Sequence, residues 1–148
     1  MTEIDILYHK NSDTFVADDL QGNVITFKAD RKNHELASES KGKSLGPMLS
    51  LLMACGGCSG IDIVMILEKQ RQDFDRLQIK VFGYREINKI PAVWEKVHIE
   101  YYLDGDFDST KIERAAELSI TKYCSVLETL RRAGAEVTYR VFINQNKS

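Results

Sequence analysis

Apolar and polar positions alternate along the N-terminal third of the chain, as they do in β-strands that have one buried face. The alternating segments are Ile4 to Tyr8, Phe15-Val16 and Val24 to Phe27. A turn signal, Gln21-Gly22-Asn23, separates the second segment from the third. The pattern predicts three strands in a small antiparallel meander. A polar segment from Lys28 to Ser44 follows and is predicted to be a loop.

A long apolar segment follows this loop. It contains no proline from Leu49 to about Arg71 and predicts a helix of roughly 35 Å at 1.5 Å per residue. Pro47 suits the first turn of that helix, because its missing N–H would have no partner there. The helix is apolar on nearly every side until Glu68, so it needs cover all round. Since one domain of this size has difficulty enclosing it, the pattern favours a homodimer.

Alternation returns in the second half of the chain. Leu77 to Val81 and Val97 to Leu103, joined through the residues around Pro91, predict a hairpin. Val137 to Ile143 predicts a last strand. With two helices before that strand, the order is βββ-α-ββ-αα-β. Strands and helices in separate blocks indicate the α+β class, with one domain over residues 1–148.

The first of these two helices is predicted to start near residues 108–110, where Thr110 and Glu113 have the spacing of a capping box, and to run toward Tyr123. Ser125 and Glu128 form a second possible capping box, for a short helix that ends before Gly134.

Cys124 would lie just outside the N-terminus of that short helix. A thiol there is close to the positive end of the helix dipole and its unpaired amides, which favours the thiolate. The alternative is that Tyr123 and Cys124 only pack the junction between the two helices.

Composition narrows the classes of function. The chain has 148 residues, 28% of them charged, and a formal net charge of -2, so nothing predicts a nucleic-acid partner. The start, MTEIDILYHK, lacks the basic and apolar blocks of a secretory signal, which favours a cytoplasmic protein. Leu45 to Leu67 has about the length of a membrane span, but Asp62 would cost about 2.5 to 3.5 kcal/mol there. We therefore predict no membrane segment.

Cys55 and Cys58 lie three residues apart in the long helix. A thioredoxin-type pair needs a strand-to-helix junction, and helical geometry does not favour a bridge between these positions. A structural zinc site needs four ligands, and no second half-site accompanies the pair, so no metal is predicted. One reactive thiol and three buried thiols that act as small hydrophobes both remain open.

The residues around Cys58 favour the reactive thiol. Gly56 and Gly57 weaken the helix and permit close approach of another backbone, and a bend there would free N–H groups for the thiolate. Asp62, one turn beyond Cys58, would raise the pKa of the thiol unless its carboxylate is turned toward a cation or a hydrogen-bond donor.

Two spaced motifs, GGCSGIDIVMIL at 56–67 and ELSITKYCSVLETLRRAGAEVTY at 117–139, resemble the OsmC/Ohr family of osmotically induced and organic hydroperoxide resistance proteins. The resemblance covers nearly the whole chain. It implies an intertwined α+β homodimer in which two long cysteine-bearing helices pack together at the centre.

The resemblance also implies roles for the cysteines. Cys58 matches the peroxidatic cysteine, which attacks a hydroperoxide and becomes a sulfenic acid, and Cys124 matches the resolving cysteine. A small dithiol or a dithiol protein would reduce the resulting disulfide, and no metal or prosthetic group is needed. Cys55 has no role in this scheme and is interpreted as core packing.

The chain departs from the family pattern at one important place. The family peroxidases carry a glutamate shortly after the proline that matches Pro47, and this glutamate orients an arginine toward the reactive thiolate. Here Met48, Leu49 and Ser50 follow Pro47, and the first arginine is Arg31. Two alternatives to a peroxidase therefore stay open: a non-catalytic dimer that binds an apolar ligand, and a thiol redox sensor.

Overall fold

A computed structural model describes residues 2–9, 11–12, 14–18, 20–27 and 45–145. The predicted loop at 28–44, which includes Arg31, lies outside these residues. The chain divides into two compact units, residues 1–51 and residues 52–148. A single domain over 1–148 stays a prediction.

The first unit contains a three-stranded antiparallel sheet in the order β1-β2-β3. Its strands are β1 (Asp5–His9), β2 (Thr14–Asp18) and β3 (Val24–Phe27). Gly22 adopts a φ of 100° in the turn before β3, a conformation that a side chain disfavours. The predicted meander is confirmed.

Helix α1 (Pro47–Lys69) starts in the first unit and continues into the second. It begins at Pro47, as the sequence predicts. It is helical without interruption through Gly56 and Gly57, so the bend considered at these glycines does not occur. By length and composition alone α1 could cross a membrane, a property that it shares with core helices of soluble proteins.

The second unit contains a three-stranded sheet in the order β4-β5-β6, with strands β4 (Arg76–Tyr84), β5 (Lys96–Asp104) and β6 (Glu136–Ile143). Strands β4 and β5 form the predicted antiparallel hairpin, whereas β5 and β6 are parallel. The core lies on one face of β5, where alternate side chains are fully buried: Val97, Ile99, Tyr101 and Leu103.

Two glycines allow α1 to lie close to β4. A Cβ atom at Gly60 would be 2.8 Å from Ile79 Cδ1, and one at Gly56 would be 3.2 Å from Val81 Cγ2. The close approach predicted near Cys58 therefore occurs at these two positions, and the atoms that approach are side-chain atoms of β4. A Cβ at Gly57 would meet nothing within 4 Å.

The connection from β5 to β6 contains α2 (Ser109–Leu118), a π-helical turn (Ser119–Tyr123) and α3 (Ser125–Arg132). Helix α2 starts where the sequence predicts, but the capping residue is Asp108, whose side chain accepts a hydrogen bond from Thr110 N at 3.0 Å. Asp108 therefore takes the N-cap role that the predicted capping box gave to Thr110, two residues later in the chain.

The π-helical turn determines where Cys124 lies. The Cys124 N–H donates to Ser119 O at 2.9 Å, across five residues, and Arg131 Nη2 donates to Ile120 O at 2.8 Å. Cys124 is then extended, with φ −73° and ψ 101°, and is the residue from which α3 starts. Helix α3 ends before Gly134, which has a φ of 104°. The predicted second helix start is confirmed.

Candidate active site

The fold brings together three groups from two elements. The sulfur atoms of Cys58 and Cys124 and a carboxylate oxygen of Asp62 all lie within 4.8 Å of one another. Cys58 and Asp62 are one turn apart on α1, and Cys124 joins the π-helical turn to α3. All three cysteines are free thiols. The two predicted site residues therefore meet, and the acidic residue that the sequence placed beside one of them lies beside both.

The two thiols differ in exposure. Cys58 is half-buried, whereas Cys124 is 3% exposed. Burial raises the pKa of the Cys124 thiol to about 12, with contributions from a hydrogen bond to Cys58 and from the charge of Asp62, and against a backbone hydrogen bond at Leu127. The expectation that the N-terminus of α3 would favour the Cys124 thiolate is wrong, because desolvation outweighs the backbone contribution.

Asp62 is held by a chain of buried hydroxyl groups. Ser119 Oγ lies 3.0 Å from Asp62 Oδ2 and 2.9 Å from Ser59 Oγ, and Ser59 Oγ in turn bonds the Tyr101 hydroxyl. Ser59, Ser119 and Tyr101 are all fully buried. The carboxylate of Asp62 is thus turned toward a hydrogen-bond donor, which is one of the two conditions that the sequence set for a reactive thiol beside it.

The hydroxyl chain has a direction. An ionised carboxylate only accepts hydrogen bonds, so Ser119 donates to Asp62, Ser59 donates to Ser119, and Tyr101 donates to Ser59. Burial raises the pKa of Tyr101 above its usual range, which keeps its hydroxyl proton in place. Ser59 and Ser119 therefore each accept one hydrogen bond and donate another, and Tyr101 donates at the start of the chain.

Cys55 lies outside this cluster. Its side chain is fully buried, and burial, together with the charge of Cys58, raises the pKa of its thiol to about 11. These properties fit the packing role that the sequence assigned to it.

Two cavities adjoin the cluster. The larger, of about 470 Å³, includes Asp62 in its wall, and the smaller, of about 300 Å³, includes Cys124. Tyr123 lines both. The larger cavity is mainly apolar; its lining residues are Asp62, Met65, Ile66, Lys69, Gln70, Leu118 and Tyr123.

Two thiols and a carboxylate are possible ligands of a soft divalent metal. They are one ligand short of the four that a structural zinc site uses. His98 is not part of this group and is hydrogen-bonded to Thr138 Oγ1 at 2.7 Å. The cluster could therefore hold a metal only with an outside ligand.

Two arginines near Cys124, Arg131 and Arg132 of α3, both bond Glu128. Arg131 is paired with Glu128 at 2.7 Å and also caps the π-helical turn. Arg132 bonds Glu128 at 2.8 Å and lines the smaller cavity together with Cys124.

Sequence reasoning missed three residues of the site: Ser59, Ser119 and Tyr101. Ser59 directly follows Cys58 in an otherwise apolar run, and Ser119 lies in the second motif, so polar residues in apolar surroundings were the available signal. Tyr101 carried no such signal, because it continues the apolar alternation of β5.

A family model described as OsmC-like protein matches residues 40–140. The chain belongs to the OsmC-like family. The family consists of soluble proteins, which favours the interpretation of α1 as a core helix. The chain is 38% identical to Protein YhfA of Escherichia coli K12 over 92 residues, which cover 62% of this chain and 68% of YhfA.

Solved structures share the fold over almost the full chain. A hypothetical protein from Aquifex aeolicus VF5 has a TM-score of 0.76 and 28% identity, with 98% of each chain covered. An organic hydroperoxide resistance protein OsmC and predicted redox protein from Legionella pneumophila has a TM-score of 0.64 and 9% identity, with 97% of this chain and 96% of that chain covered. The predicted OsmC-like α+β fold is confirmed.

Proposed function

We propose that this protein is a thiol-dependent peroxidase that reduces organic hydroperoxides through Cys58 and Cys124. The observation that carries the proposal is the approach of the two sulfur atoms to within 4.8 Å, next to a mainly apolar cavity. Membership of the OsmC-like family supports the same chemistry, and the Legionella pneumophila protein that shares the fold is an organic hydroperoxide resistance protein.

Burial favours Cys58 as the thiol that reacts first. Its sulfur is half-buried, whereas Cys124 is 3% exposed and is held protonated by a pKa of about 12. The Cys58 thiolate attacks the terminal oxygen of R–O–O–H, the O–O bond breaks, and the alkoxide takes up a proton to leave as R–OH. Cys124 then condenses with the Cys58 sulfenic acid, and an external dithiol reduces the disulfide.

The larger cavity supports an elongated apolar substrate. It follows α1 from Asp62 to Gln70, eight residues and therefore about 12 Å. Its Asp62 end lies at the sulfur cluster, so the hydroperoxide group would occupy that end and the apolar tail the remainder. Gln70 Oε1, at the far end, is buried and has no hydrogen-bond partner among the described residues, so it can accept one from a polar tail.

Stopped-flow measurement of thiol loss tests the proposal. The reduced protein is mixed with cumene hydroperoxide or hydrogen peroxide, and the variants Cys58→Ser, Cys124→Ser and Cys55→Ser are compared. We expect rapid thiol loss, faster with the organic peroxide, abolished by Cys58→Ser and unchanged by Cys55→Ser. In Cys124→Ser the sulfenic acid should form and persist. Oxidation no faster than that of a free thiol, in all variants, would contradict a peroxidase.

A second candidate function is the binding of an apolar ligand without peroxide chemistry. It is favoured by the cavity of about 470 Å³ and by Met48, Leu49 and Ser50, which stand where the family peroxidases carry a glutamate. In this case a lipophilic fluorophore would bind with equal affinity to wild type and Cys58→Ser, and peroxides would oxidise both slowly. Slow formation of a stable disulfide that changes self-association would instead indicate a redox sensor.

We further propose that the protein is a cytoplasmic homodimer that pairs through α1, with no nucleic-acid or membrane partner. Three large apolar side chains of α1 are more than half exposed in the single chain: Met53 at 62%, Ile61 at 63% and Met65 at 52%. Ile61 lies eight residues after Met53 and four before Met65, and the three share one face of the helix. A second copy would cover this face without exposing new apolar surface.

Analytical ultracentrifugation tests the homodimer. Ile61→Glu places a charge on the exposed α1 face and should convert the dimer to a monomer. Ile90→Glu is the matched control, because Ile90 is 97% exposed on the β4–β5 connection and should tolerate the same change. A wild-type monomer at all concentrations, or equal behaviour of the two variants, would contradict pairing through α1.

A further inference from the structure

The second step of the proposed reaction needs a proton acceptor. Cys124 attacks as a thiolate, yet the residue is 3% exposed and its thiol stays protonated at neutral pH. The carboxylate of Asp62 lies within 4.8 Å of both sulfur atoms, and a shift of about 1 Å would bring it into hydrogen-bond range of a thiol.

We propose that Asp62 accepts the thiol proton of Cys124 while the disulfide with Cys58 forms, and that Ser119, Ser59 and Tyr101 position its carboxylate for this transfer. The proposal rests on the proposed function, because it concerns the resolving step of that reaction. Asp62 is the proton acceptor, and the three hydroxyl residues are positioning residues that act through it.

The atoms and charges of the step balance. Cys124 S–H gives its proton to the Asp62 carboxylate, and the Cys124 sulfur attacks the sulfur of the Cys58 sulfenic acid. The S–O bond of the sulfenic acid breaks as the S–S bond forms. The departing hydroxide takes the proton from Asp62 and leaves as water, so Asp62 returns to its ionised state and no further oxidant is consumed.

Ser119 contacts both residues that take part in the proton transfer, Asp62 and Cys124. Its hydroxyl group lies 3.0 Å from Asp62 Oδ2, and its carbonyl oxygen accepts from the Cys124 N–H at 2.9 Å. One residue of the π-helical turn thus contacts both the acceptor and the backbone that carries the donor. The regular α-helix that the sequence predicts here would not make the five-residue bond that holds Cys124.

Several ionisable groups lie around Asp62. They are Cys58 on α1, Tyr101 on β5, Tyr123 and Cys124 after α2, and Lys69 at the far end of the larger cavity. Because Asp62 itself lines that cavity, it can exchange its proton with solvent between turnovers.

The test separates the two steps of thiol chemistry and uses no peroxide. With a chelator present to exclude metals, the reduced protein reacts with Ellman's reagent, 5,5′-dithiobis(2-nitrobenzoate). Cys58 releases the first thionitrobenzoate and forms a mixed disulfide, and Cys124 releases the second as the internal disulfide forms. We expect Asp62→Asn to slow the second release about tenfold to a hundredfold relative to the first.

The pH profile distinguishes proton transfer from a structural effect. In wild type the second release should depend little on pH around neutrality, because Asp62 takes the thiol proton during the attack. In Asp62→Asn it should rise about tenfold per pH unit, because the reaction must wait for free thiolate. Asp62→Glu should restore part of the rate and the flat profile. Ser119→Ala and Tyr101→Phe should slow the second release less than Asp62→Asn does.

Two results would overturn the inference. One is a second release in Asp62→Asn with the rate and pH profile of wild type. The other is an equal loss of both releases in every variant, which would show that the network serves folding only. Because the assay contains no peroxide, failure of the peroxidase proposal would appear separately, as slow thiol loss of the wild type with cumene hydroperoxide.

Discussion

The two sheets have the same number of strands but differ in how they are held together. In the N-terminal sheet every described side chain of β1 is exposed, whereas alternate residues of β5 in the C-terminal sheet are fully buried. Short turns connect all strands of the first sheet in sequence order, while the second contains a parallel pair whose connection passes through α2, the π-helical turn and α3.

This difference shows that the second sheet depends on side-chain packing more than the first sheet does. The first sheet rests on local pairing and turn geometry, so single side chains contribute little to it. The second sheet encloses a core, and the helices that pack on it bring the sulfur atoms of Cys58 and Cys124 together. Four substitutions test this contrast, in decreasing order of their expected cost.

Leu103→Ala should have the largest effect. Leu103 is fully buried on β5, and truncation in a packed core costs about 2 to 5 kcal/mol in free energy of unfolding. Leu7→Ala on β1 is the matched control; Leu7 is 59% exposed and should cost less than about 1 kcal/mol. Urea unfolding measures both. Equal costs would break the contrast, because another surface would then have to bury the first sheet.

Gly83→Ala should have the second-largest effect. A Cβ at Gly83 would lie 2.7 Å from Trp94 Cζ3 and 2.8 Å from Leu52 Cδ1, so the added methyl group overpacks the second unit. We expect a loss of about 1 to 3 kcal/mol in free energy of unfolding, measured by urea denaturation. An unchanged midpoint would mean that β4 and the start of α1 can separate without cost.

Gly22→Ala makes the same substitution in the first sheet, where the expected cost comes from the backbone conformation and not from packing. Nothing lies within 4 Å of a Cβ at Gly22, but its φ of 100° disfavours any side chain. We expect a cost of about 1 kcal/mol, seen as greater amide hydrogen exchange in β2 and β3. Gly22→Asn should recover part of it, since asparagine tolerates positive φ better than alanine. Equal exchange in both variants would indicate a side-chain effect instead.

Asp108→Asn should have the smallest effect. A hydrogen bond from the Thr110 side chain, and after it one from the Thr110 backbone N–H, lower the pKa of Asp108 below its ordinary value of 3.8. A lowered carboxyl pKa contributes stability above the unfolded-state value, and this contribution is lost as the pH falls through the lowered value. Wild type should therefore melt slightly above Asp108→Asn at neutral pH and equally at the acid end. Thermal melts across that range measure the difference; one that persists in acid would exclude the charge as its cause.

The sequence predicted most of the elements because each has a local signature. The alternation of Val97 to Leu103 specified a strand with one buried face, and Pro47 marked the start of α1. It placed the starts of both helices after β5 but not their caps, since Asp108 rather than Thr110 caps α2 and no side-chain hydrogen bond caps α3. The exposed face of α1 was also not evident, because a uniformly apolar helix does not reveal which side its own sheet covers.

Local patterns were enough to give the order of strands and helices, and to place Cys58 within a helix and Cys124 at the start of another. Long-range packing makes the two sulfur atoms meet beside Asp62, sets β6 parallel to β5, and joins Ser119, Ser59 and Tyr101 in one hydrogen-bonded chain. The two kinds of feature differ in the range of the interactions behind them. Periodicity, capping and turn preferences act over a few residues, whereas desolvation, which reverses the expected pKa shift of Cys124, depends on every group that the fold packs around the sulfur.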